Sequence, residues 1–315
     1  MTDTCKIITV GLNQAIDRVI EVPDFSPGAH LNGRQLFRTA GGKAFNVSIV
    51  CSELNTDSTA TGFLGDDTRA IFDSAMAGGL ITDRHVRVPG ATRENITIID
   101  PITSSDTHIK DIGPEVTPQH IQRLTETLTE LASPESIIVF SGSLPQGITP
   151  ADHNLMIRSC TDAGSRVAVD TSGPALEGLE LEQLWLIKPN ITELAQLTGW
   201  SFNNVEEQLI AARSLTDKVS NVLLSAGPRG AYLFSADSAC HASLPLNPDL
   251  VRNTVGCGDA LLGAFISAIT QGITPEKALA SGVATASACA CTTTSATYDP
   301  DVLNDLLDKI ELTQL

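Results

Sequence analysis

The segment NTVGCGDALLGAF, residues 253–265, joins a glycine-flanked turn to an apolar helix that carries one carboxylate. Several backbone N–H groups are free at such a helix start, and the helix dipole adds positive charge, so the turn predicts an anion site. Asp259 would repel a phosphate there unless it accepts a proton, as a base does from a hydroxyl that attacks a phosphoryl group. The alternative is that Asp259 only caps the helix.

A second cluster, AGGKAFNVS at residues 40–48, places paired glycines before another predicted helix. Glycine lets a ligand approach the backbone closely, and Lys43 and Asn46 are three residues apart on one helical face. The pattern indicates a site for a polyhydroxylated ligand. A glycine turn followed by an exposed lysine is the alternative.

The third cluster, LIKPNITEL at residues 186–194, follows an apolar strand. Ligands of open α/β sheets bind beyond the carboxyl ends of the strands, so Lys188, Asn190 and Glu193 are expected at the rim of a site. Glu193 with Asn190 would suit hydrated Mg²⁺, which needs few protein ligands. Alternatively, Glu193 only complements the helix dipole.

Two common phosphate-binding motifs are excluded by their spacing. A Walker A loop requires glycine where Phe37 stands and a hydroxyl residue where Ala44 stands. A dinucleotide fingerprint fails because the next glycine after Gly256 and Gly258 is Gly263. Nucleotide binding would therefore need a different architecture.

The elements that position these clusters form an alternating pattern. Apolar, β-branched runs at residues 136–140, 166–170, 184–188 and 219–225 predict strands without a solvated face. Thr-Pro pairs at Thr117, Thr149 and Thr274 predict helix starts. The chain is therefore expected to be an α/β protein with a mostly parallel sheet covered by helices on both faces.

Residues 16–38 and 92–111 break this alternation, because they contain strand patterns separated by Pro and Gly turns. Their polar residues suit a sheet with one exposed face. We expect a single domain over residues 1–315, with a small β subdomain built from segments at about 12–38 and 92–111. The alternative is an irregular edge of the main sheet.

The composition of the 315-residue chain argues against several classes of function. The formal charge is −17, so a broad basic surface for nucleic acid or anionic lipid is not expected. There is no run of about 20 apolar residues for a membrane helix and no basic, then apolar leader, which favours a cytoplasmic protein. Seven scattered cysteines without a Cys-x-x-Cys pair favour reduced thiols over zinc or disulfides.

Eight ordered motifs between residue 9 and about residue 290 resemble those of the ribokinase/pfkB carbohydrate kinases, most closely the 1-phosphofructokinase and tagatose-6-phosphate kinase branch. They are NxAID from Asn13, residues 40–48, TRxN from Thr92, SGSLP from Ser141, DTSG from Asp170, KPNxxE from Lys188, SAGxxG from Ser225, and residues 253–259. The resemblance implies a Rossmann-like α/β domain with a β-sheet lid.

The resemblance also implies roles for the matching residues. Asp259 would be the catalytic base, and Gly256, Cys257 and Gly258 would form the anion hole. The sugar hydroxyls would be held by Asp17, Gly42, Lys43 and Asn46, and the phosphate already on the sugar by Arg93 and Ser143. ATP would contact Lys188, Asn190, Ser225, Gly227, Gly230 and Gly258, while Glu193 would organise Mg²⁺ through water.

Several residues depart from the pattern of that branch. Gly11 stands where a threonine is usual, Gln14 where a proline is usual, and Cys257 where alanine or another small residue is usual. In the lid, the sequence HIK at residues 108–110 replaces an acidic residue followed by Ile-Asn. The identity of the substrate depends on the lid positions.

The expected activity is transfer of the γ-phosphoryl group of ATP to a hydroxyl of a phosphorylated ketohexose: fructose 1-phosphate, tagatose 6-phosphate or fructose 6-phosphate. A kinase of an unphosphorylated sugar or nucleoside is the alternative, and a sensor that binds a sugar phosphate without turnover is a third hypothesis. A homodimer through paired lid sheets is also expected, because exposed sheet edges tend to pair.

Overall fold

The computed structural model describes residues 5–103 and 105–315. Its strands are β1 Lys6–Gly11, β2 Ala15–Glu21, β3 Arg34–Gly41, β4 Ser58–Gly65, β5 Ile81–Asp83, β6 Val86–Val88, β7 Arg93–Asp100, β8 Ser105–Lys110, β9 Ser136–Gly142, β10 Arg166–Thr171, β11 Leu186–Ile187, β12 Asn221–Ser225, β13 Ala231–Ser235, β14 Ala239–Ser243 and β15 Glu311–Gln314.

The helices alternate with these strands through most of the chain. They are α1 Lys43–Glu53, α2 Arg69–Met76, α3 Pro118–Leu131, α4 Pro150–Asp162, α5 Pro174–Glu177, α6 Ile191–Thr198, α7 Val205–Ser214, α8 Cys257–Thr270, α9 Pro275–Ala290 and α10 Pro300–Leu307. The three helix starts predicted from Thr-Pro pairs are confirmed at α3, α4 and α9. Of the three threonines, Thr149 accepts a capping hydrogen bond from the Asp152 N–H at 3.2 Å, and Thr274 makes no side-chain cap.

The main sheet has the order β15-β14-β13-β12-β11-β10-β9-β1-β4-β5, with β6 paired to β4. The pairs from β12 through β4 to β5 are parallel, whereas β12 to β15 form an antiparallel extension at the other edge. The four strands predicted in residues 136–225 are confirmed as β9 to β12, and they lie next to one another in the sheet.

Both faces of this sheet are buried, which explains the continuous apolar runs. In β9, Ile138 and Phe140 belong to a core beneath α3, α4, α6 and α7, whereas Ile137 and Val139 belong to a core beneath α1, α8, α9 and α10. The predicted fold class, a mostly parallel sheet between two helical layers, is confirmed.

A second sheet of four strands has the order β3-β2-β7-β8. Strands β2 and β3 are antiparallel, as are β7 and β8, while β2 and β7 are parallel. The second β-sheet predicted from residues 16–38 and 92–111 is thus confirmed. The carboxyl end of β3 leads directly into α1 through Gly41 and Gly42, and the chain also passes between the two sheets from β1 to β2 and from β6 to β7.

Within residues 5–103 and 105–315, none of the helices combines the length and the apolar composition that crossing a membrane requires.

Candidate active site

Polar residues at the ends of three neighbouring strands meet at the carboxyl edge of the main sheet. Ser141 of β9 and Asp170 of β10 are in register, and Lys188 follows β11 directly. Each of these residues lies two positions after a core residue, Val139, Ala168 or Leu186, and therefore on the same face of the sheet. This is the face that α1 and α8 cover. The amino ends of α1 and α8 reach the same place, since Lys43 pairs with Asp170 and Asn46 with Asp259.

Asp170 lies at the centre of this arrangement, although the sequence analysis predicted no role for this first residue of the DTSG motif. Its buried carboxylate pairs with Lys43 Nζ at 3.0 Å through Oδ1 and with Lys188 Nζ at 3.1 Å through Oδ2. Burial opposes ionisation, but the two ammonium groups outweigh it and lower the pKa of Asp170. The available signal was its position at the end of an apolar strand.

Asp259 lies in the first turn of α8 and is buried. Its Oδ2 accepts a hydrogen bond of 2.7 Å from Asn46 Nδ2, so the Asn46 amide orients this carboxylate. Burial first, and then the charge of Asp170, raise the pKa of Asp259 to about 7 against the lowering effects of Lys43, Asn46 and Lys188. A carboxylate with this pKa can take a proton at neutral pH.

The loop before α8 has the form of an anion site. Gly256 is left-handed with φ 84°, and a Cβ at this position would lie 2.7 Å from the backbone nitrogen of Ala296, so only glycine fits. A Cβ at Gly258 would lie 3.3 Å from Lys188 Nζ, which puts that ammonium group beside the loop. The N–H groups at the start of α8, the helix dipole and a lysine therefore act on the same place, although the Cys257 N–H also donates to the Thr254 carbonyl at 3.4 Å.

Cys257 packs behind this loop, against the small cluster that includes Val50, Ala260 and Cys289. A hydrogen bond with Cys289, and then burial, raise the pKa of the Cys257 thiol. The side chain therefore remains a neutral thiol at neutral pH and adds no charge to the anion site.

The residues predicted to hold sugar hydroxyls border the same edge from the second sheet. Asp17 Oδ1 accepts a hydrogen bond of 3.1 Å from Asn95 Nδ2, and burial raises the pKa of Asp17. A Cβ at Gly41 would lie 2.5 Å from Asp17 Oδ2, so the glycine permits a close approach. Gly42 precedes α1 with φ 96° and no side-chain cap, which leaves helix N–H groups available.

Arg93 and Ser143, predicted to hold the sugar's phosphate, are brought together at Asn13. Asn13 Nδ2 donates to Ser143 Oγ at 3.3 Å, and Arg93 Nη2 donates to the Asn13 carbonyl at 2.8 Å. Arg93 Nε also donates to the carbonyl of Gln14 at 3.3 Å. The arginine thus supports the backbone of residues 13–14, a contact that the sequence did not indicate.

The residues predicted to face ATP lie along the next strands. Asn190 and Glu193 form a capping box at the start of α6: Asn190 Oδ1 accepts from the Glu193 N–H, and Glu193 Oε2 accepts from the Asn190 N–H, both at 2.9 Å. Ser225, at the end of β12, forms a bridge with Asn190. Gly227 and Gly230 follow in the β12–β13 turn with positive φ.

The described residues contain no group of three or more His, Cys, Asp or Glu side chains arranged to hold a metal ion. A divalent cation here would have to keep water ligands or take oxygens from a bound phosphate, which Mg²⁺ commonly does. Glu193 fits such a cation as a single carboxylate, because the cap engages its Oε2 and not its Oε1.

Comparison with known proteins gives one consistent family. The model of the pfkB family of carbohydrate kinases matches residues 5–301. The 1-phosphofructokinase of Rhodobacter capsulatus is 36% identical over 273 residues, 86% of this chain and 85% of the relative, and the tagatose-6-phosphate kinase of Staphylococcus epidermidis is 29% identical over 87% and 88%. The structure of Escherichia coli phosphofructokinase-2 in complex with potassium superimposes with a TM-score of 0.90 at 25% identity, covering 96% of this chain and 98% of the other.

We predict that one aspartate of this protein titrates near neutral pH and that Asp170 contributes to this behaviour. In Asp170→Asn the negative charge that raises the pKa of Asp259 is lost, so the midpoint moves to lower pH. Carbon-13 NMR of aspartate carboxyl groups measures both midpoints, and Asp299→Asn, a helix cap on α10, is the control. A wild-type protein in which every aspartate titrates below pH 5 would contradict the assignment.

Proposed function

Because the chain belongs to the pfkB family of carbohydrate kinases, we propose that it phosphorylates fructose 1-phosphate, with residues 256–259 as the site of phosphoryl transfer. The enzyme is a phosphotransferase that acts on a hydroxyl of a sugar phosphate, with ATP as co-substrate. Fructose 1-phosphate is chosen because the relative with 36% identity is named for it. Its free primary hydroxyl, on C6, is the least hindered acceptor.

The observation that carries this proposal is the position of Asp259 beside the anion loop. The buried carboxylate follows Gly258 directly, and Lys188 Nζ lies against that glycine. A base and an anion site are adjacent, as an attacking hydroxyl and an arriving phosphoryl group require.

In the proposed reaction, the sugar oxygen attacks the γ-phosphorus of ATP while Asp259 accepts the proton of that hydroxyl. The bond from the γ-phosphorus to the bridging oxygen breaks, and ADP leaves with that electron pair. Negative charge develops on the phosphoryl oxygens and is stabilised by the N–H groups of residues 256–258 and by Lys188. Lys43 forms an ion pair with Asp170 on the side where the sugar is expected. Burial lowers the pKa of Lys43, but the carboxylates of Asp170 and Asp259 outweigh it and raise this pKa, so the ammonium group stays charged. Asn46 fixes the direction of the Asp259 carboxylate.

We propose Mg²⁺ as the metal, with Glu193 as a carboxylate that acts through water. The cation would supply neutralisation of the negative charge of the ATP phosphates. The support is that Asn190 and Glu193 lie next to Ser225 at the rim where ATP is expected. ATP would be bordered further by Gly227 and Gly230, whose positive φ keeps the turn free of side chains.

The second sheet is proposed to act as a lid that covers the sugar and excludes water, which limits hydrolysis of ATP. Asp17 and Arg93 belong to its strands β2 and β7, so closure would bring both to the substrate. On this proposal the lid remains part of a single domain that spans the chain.

We propose a homodimer joined through these sheets, and a cytoplasmic location, where ATP is supplied. One face of the second sheet carries Ile20, Ile96, Ile98 and the exposed Ile109, which are cross-strand neighbours. Contiguous apolar residues on a sheet face are typical of a protein interface.

The proposal is tested by measuring ADP release with fructose 1-phosphate, tagatose 6-phosphate, fructose 6-phosphate, fructose, ribose and adenosine. The highest kcat/KM is expected with fructose 1-phosphate. A preference for fructose, ribose or adenosine would instead assign the chain to kinases of unphosphorylated substrates. Binding of a sugar phosphate without ADP release would indicate a sensor.

Asp259→Asn is expected to lower kcat by ~10² to 10⁴, because the amide keeps the shape of the side chain but cannot take the proton. The KM values for ATP and sugar should change little. Asp299→Asn, at the N-terminus of α10, is the matched control and should retain full activity. If Asp259→Asn stays within tenfold of the wild type, the aspartate is only a helix cap.

Arg93→Ala is expected to raise the KM for the phosphorylated ketohexose by the equivalent of ~2 to 4 kcal/mol, because a charge-assisted contact with phosphate is lost. The KM for ATP should hardly change. Arg93 also supports residues 13–14, so fructose serves as the internal control. An equal loss with fructose would show that the arginine acts only on the backbone of this loop.

A further inference from the structure

We propose that the side chain of Gln14 contacts the sugar directly, donating a hydrogen bond from Nε2 to a hydroxyl oxygen of the ketohexose, and that Gly11 is required to make room for it. This inference rests on the proposed function, since it assumes that the sugar binds between Asp17 and Asp259. It assigns a specificity role to the two residues that depart from the family pattern near the substrate.

The carboxamide of Gln14 is buried and incompletely bonded. The residue is 3% exposed, and its Nε2 has no hydrogen-bond partner among residues 5–103 and 105–315. A buried N–H group without an acceptor destabilises a folded protein, so such groups are rare unless a ligand or water completes them. The side chain is therefore arranged for an acceptor that the described residues do not supply.

Gly11 and Gln14 are structurally coupled. A Cβ at Gly11 would lie 2.1 Å from Gln14 Nε2 and 2.6 Å from Oε1, so any larger residue at position 11 would expel the carboxamide. Gly11 does not require glycine for its own turn, because its φ is not positive. The two departures from the family pattern thus form one pair: the absence of a side chain at position 11 provides the space that Gln14 occupies.

The carboxamide also lies at the place where the sugar is expected. A Cβ at Gly42 would be 2.6 Å from Gln14 Oε1, so the group adjoins the uncapped amino end of α1. Gly11 ends β1 next to Ser141 of β9, one residue beyond the last registered pair of these strands. Ser141 Oγ is likewise buried and unpartnered in the described part of the chain.

A third such atom, Asn95 Oδ1, belongs to the amide whose nitrogen binds Asp17. Three incompletely bonded polar groups therefore border one edge, together with free N–H groups of α1. Hydroxyl groups of a sugar both donate and accept hydrogen bonds, so one ligand can complete donors and acceptors alike. This complementarity favours a polyhydroxylated ligand over a single water molecule as the partner of Gln14.

Sites that hydrogen-bond a hydroxyl discriminate strongly against substrates that lack it or present it differently, because the protein group is then left unpaired. Gln14 would thus help to select one ketohexose phosphate among its stereoisomers. A proline at this position would have no side-chain donor.

The inference is tested with Gln14→Met, which keeps the length of the side chain but removes the donor. We expect the KM for fructose 1-phosphate to rise about tenfold, with kcat and the KM for ATP within twofold of the wild type. Calorimetric titration with fructose 1-phosphate alone should show the same loss of affinity without any turnover.

Gly11→Ala and the double variant Gly11→Ala/Gln14→Met test the coupling. The single change should raise the same KM, because its methyl group displaces the carboxamide, whereas the double variant should be no worse than Gln14→Met. Ser58→Ala is the control: it removes a buried, unpartnered hydroxyl at the start of β4, the opposite end of the sheet, and should leave the KM unchanged.

If Gln14→Met binds the sugar within twofold of the wild type, Gln14 is only a packing residue and the inference is overturned. Independent, multiplicative effects of the two single variants would overturn the coupling. If the wild type does not phosphorylate fructose 1-phosphate, the proposed substrate is wrong, and Gln14→Met is then judged by the same KM ratio on the best sugar of the panel.

Discussion

The structure of the site depends on one buried ion cluster, in which the carboxylate of Asp170 lies between the ammonium groups of Lys43 and Lys188. A buried carboxylate is unstable unless it is paired, so both lysines must stay in place for the fold to tolerate it. Because the lysines come from α1 and from the end of β11, the cluster joins the expected sugar side to the expected ATP side. Lys188 then lies against Gly258, where we propose that phosphate binds.

The same cluster sets the protonation of the proposed base. Burial, and then the negative charge of Asp170, raise the pKa of Asp259, whereas the ammonium groups of Lys188 and Lys43 lower the pKa of Asp170 despite its burial. One carboxylate is thereby kept charged as a structural partner, and the other is set near neutral pH for proton transfer. Their difference follows from which of them contacts the lysines.

Local cations also explain how an acidic chain can bind two phosphorylated substrates. The formal charge of −17 repels anions at long range, but salt screens that field beyond about 10 Å. At short range, Lys43, Lys188, Arg93 and the amino ends of α1 and α8 supply positive potential at the carboxyl edge of the sheet. The net charge therefore affects long-range interactions with other molecules, whereas anion binding in the site depends on a few nearby cationic groups.

The sequence by itself determined the fold class, the second sheet and the family, because apolar alternation, Thr-Pro helix starts and glycine spacing are local patterns that follow from backbone geometry. It also singled out Asp259, Lys188 and Gly256 by residue type and spacing. Only the tertiary structure decided that Asp170 joins two lysines, that Asn46 is bonded to Asp259, that Arg93 supports the backbone of residues 13–14, and that Gly11 makes room for Gln14. These contacts pair residues that are distant along the chain or depend on the direction of a side chain. The strength of these contacts depends on the burial of the groups and on the distance between them, and no local sequence pattern specifies either quantity.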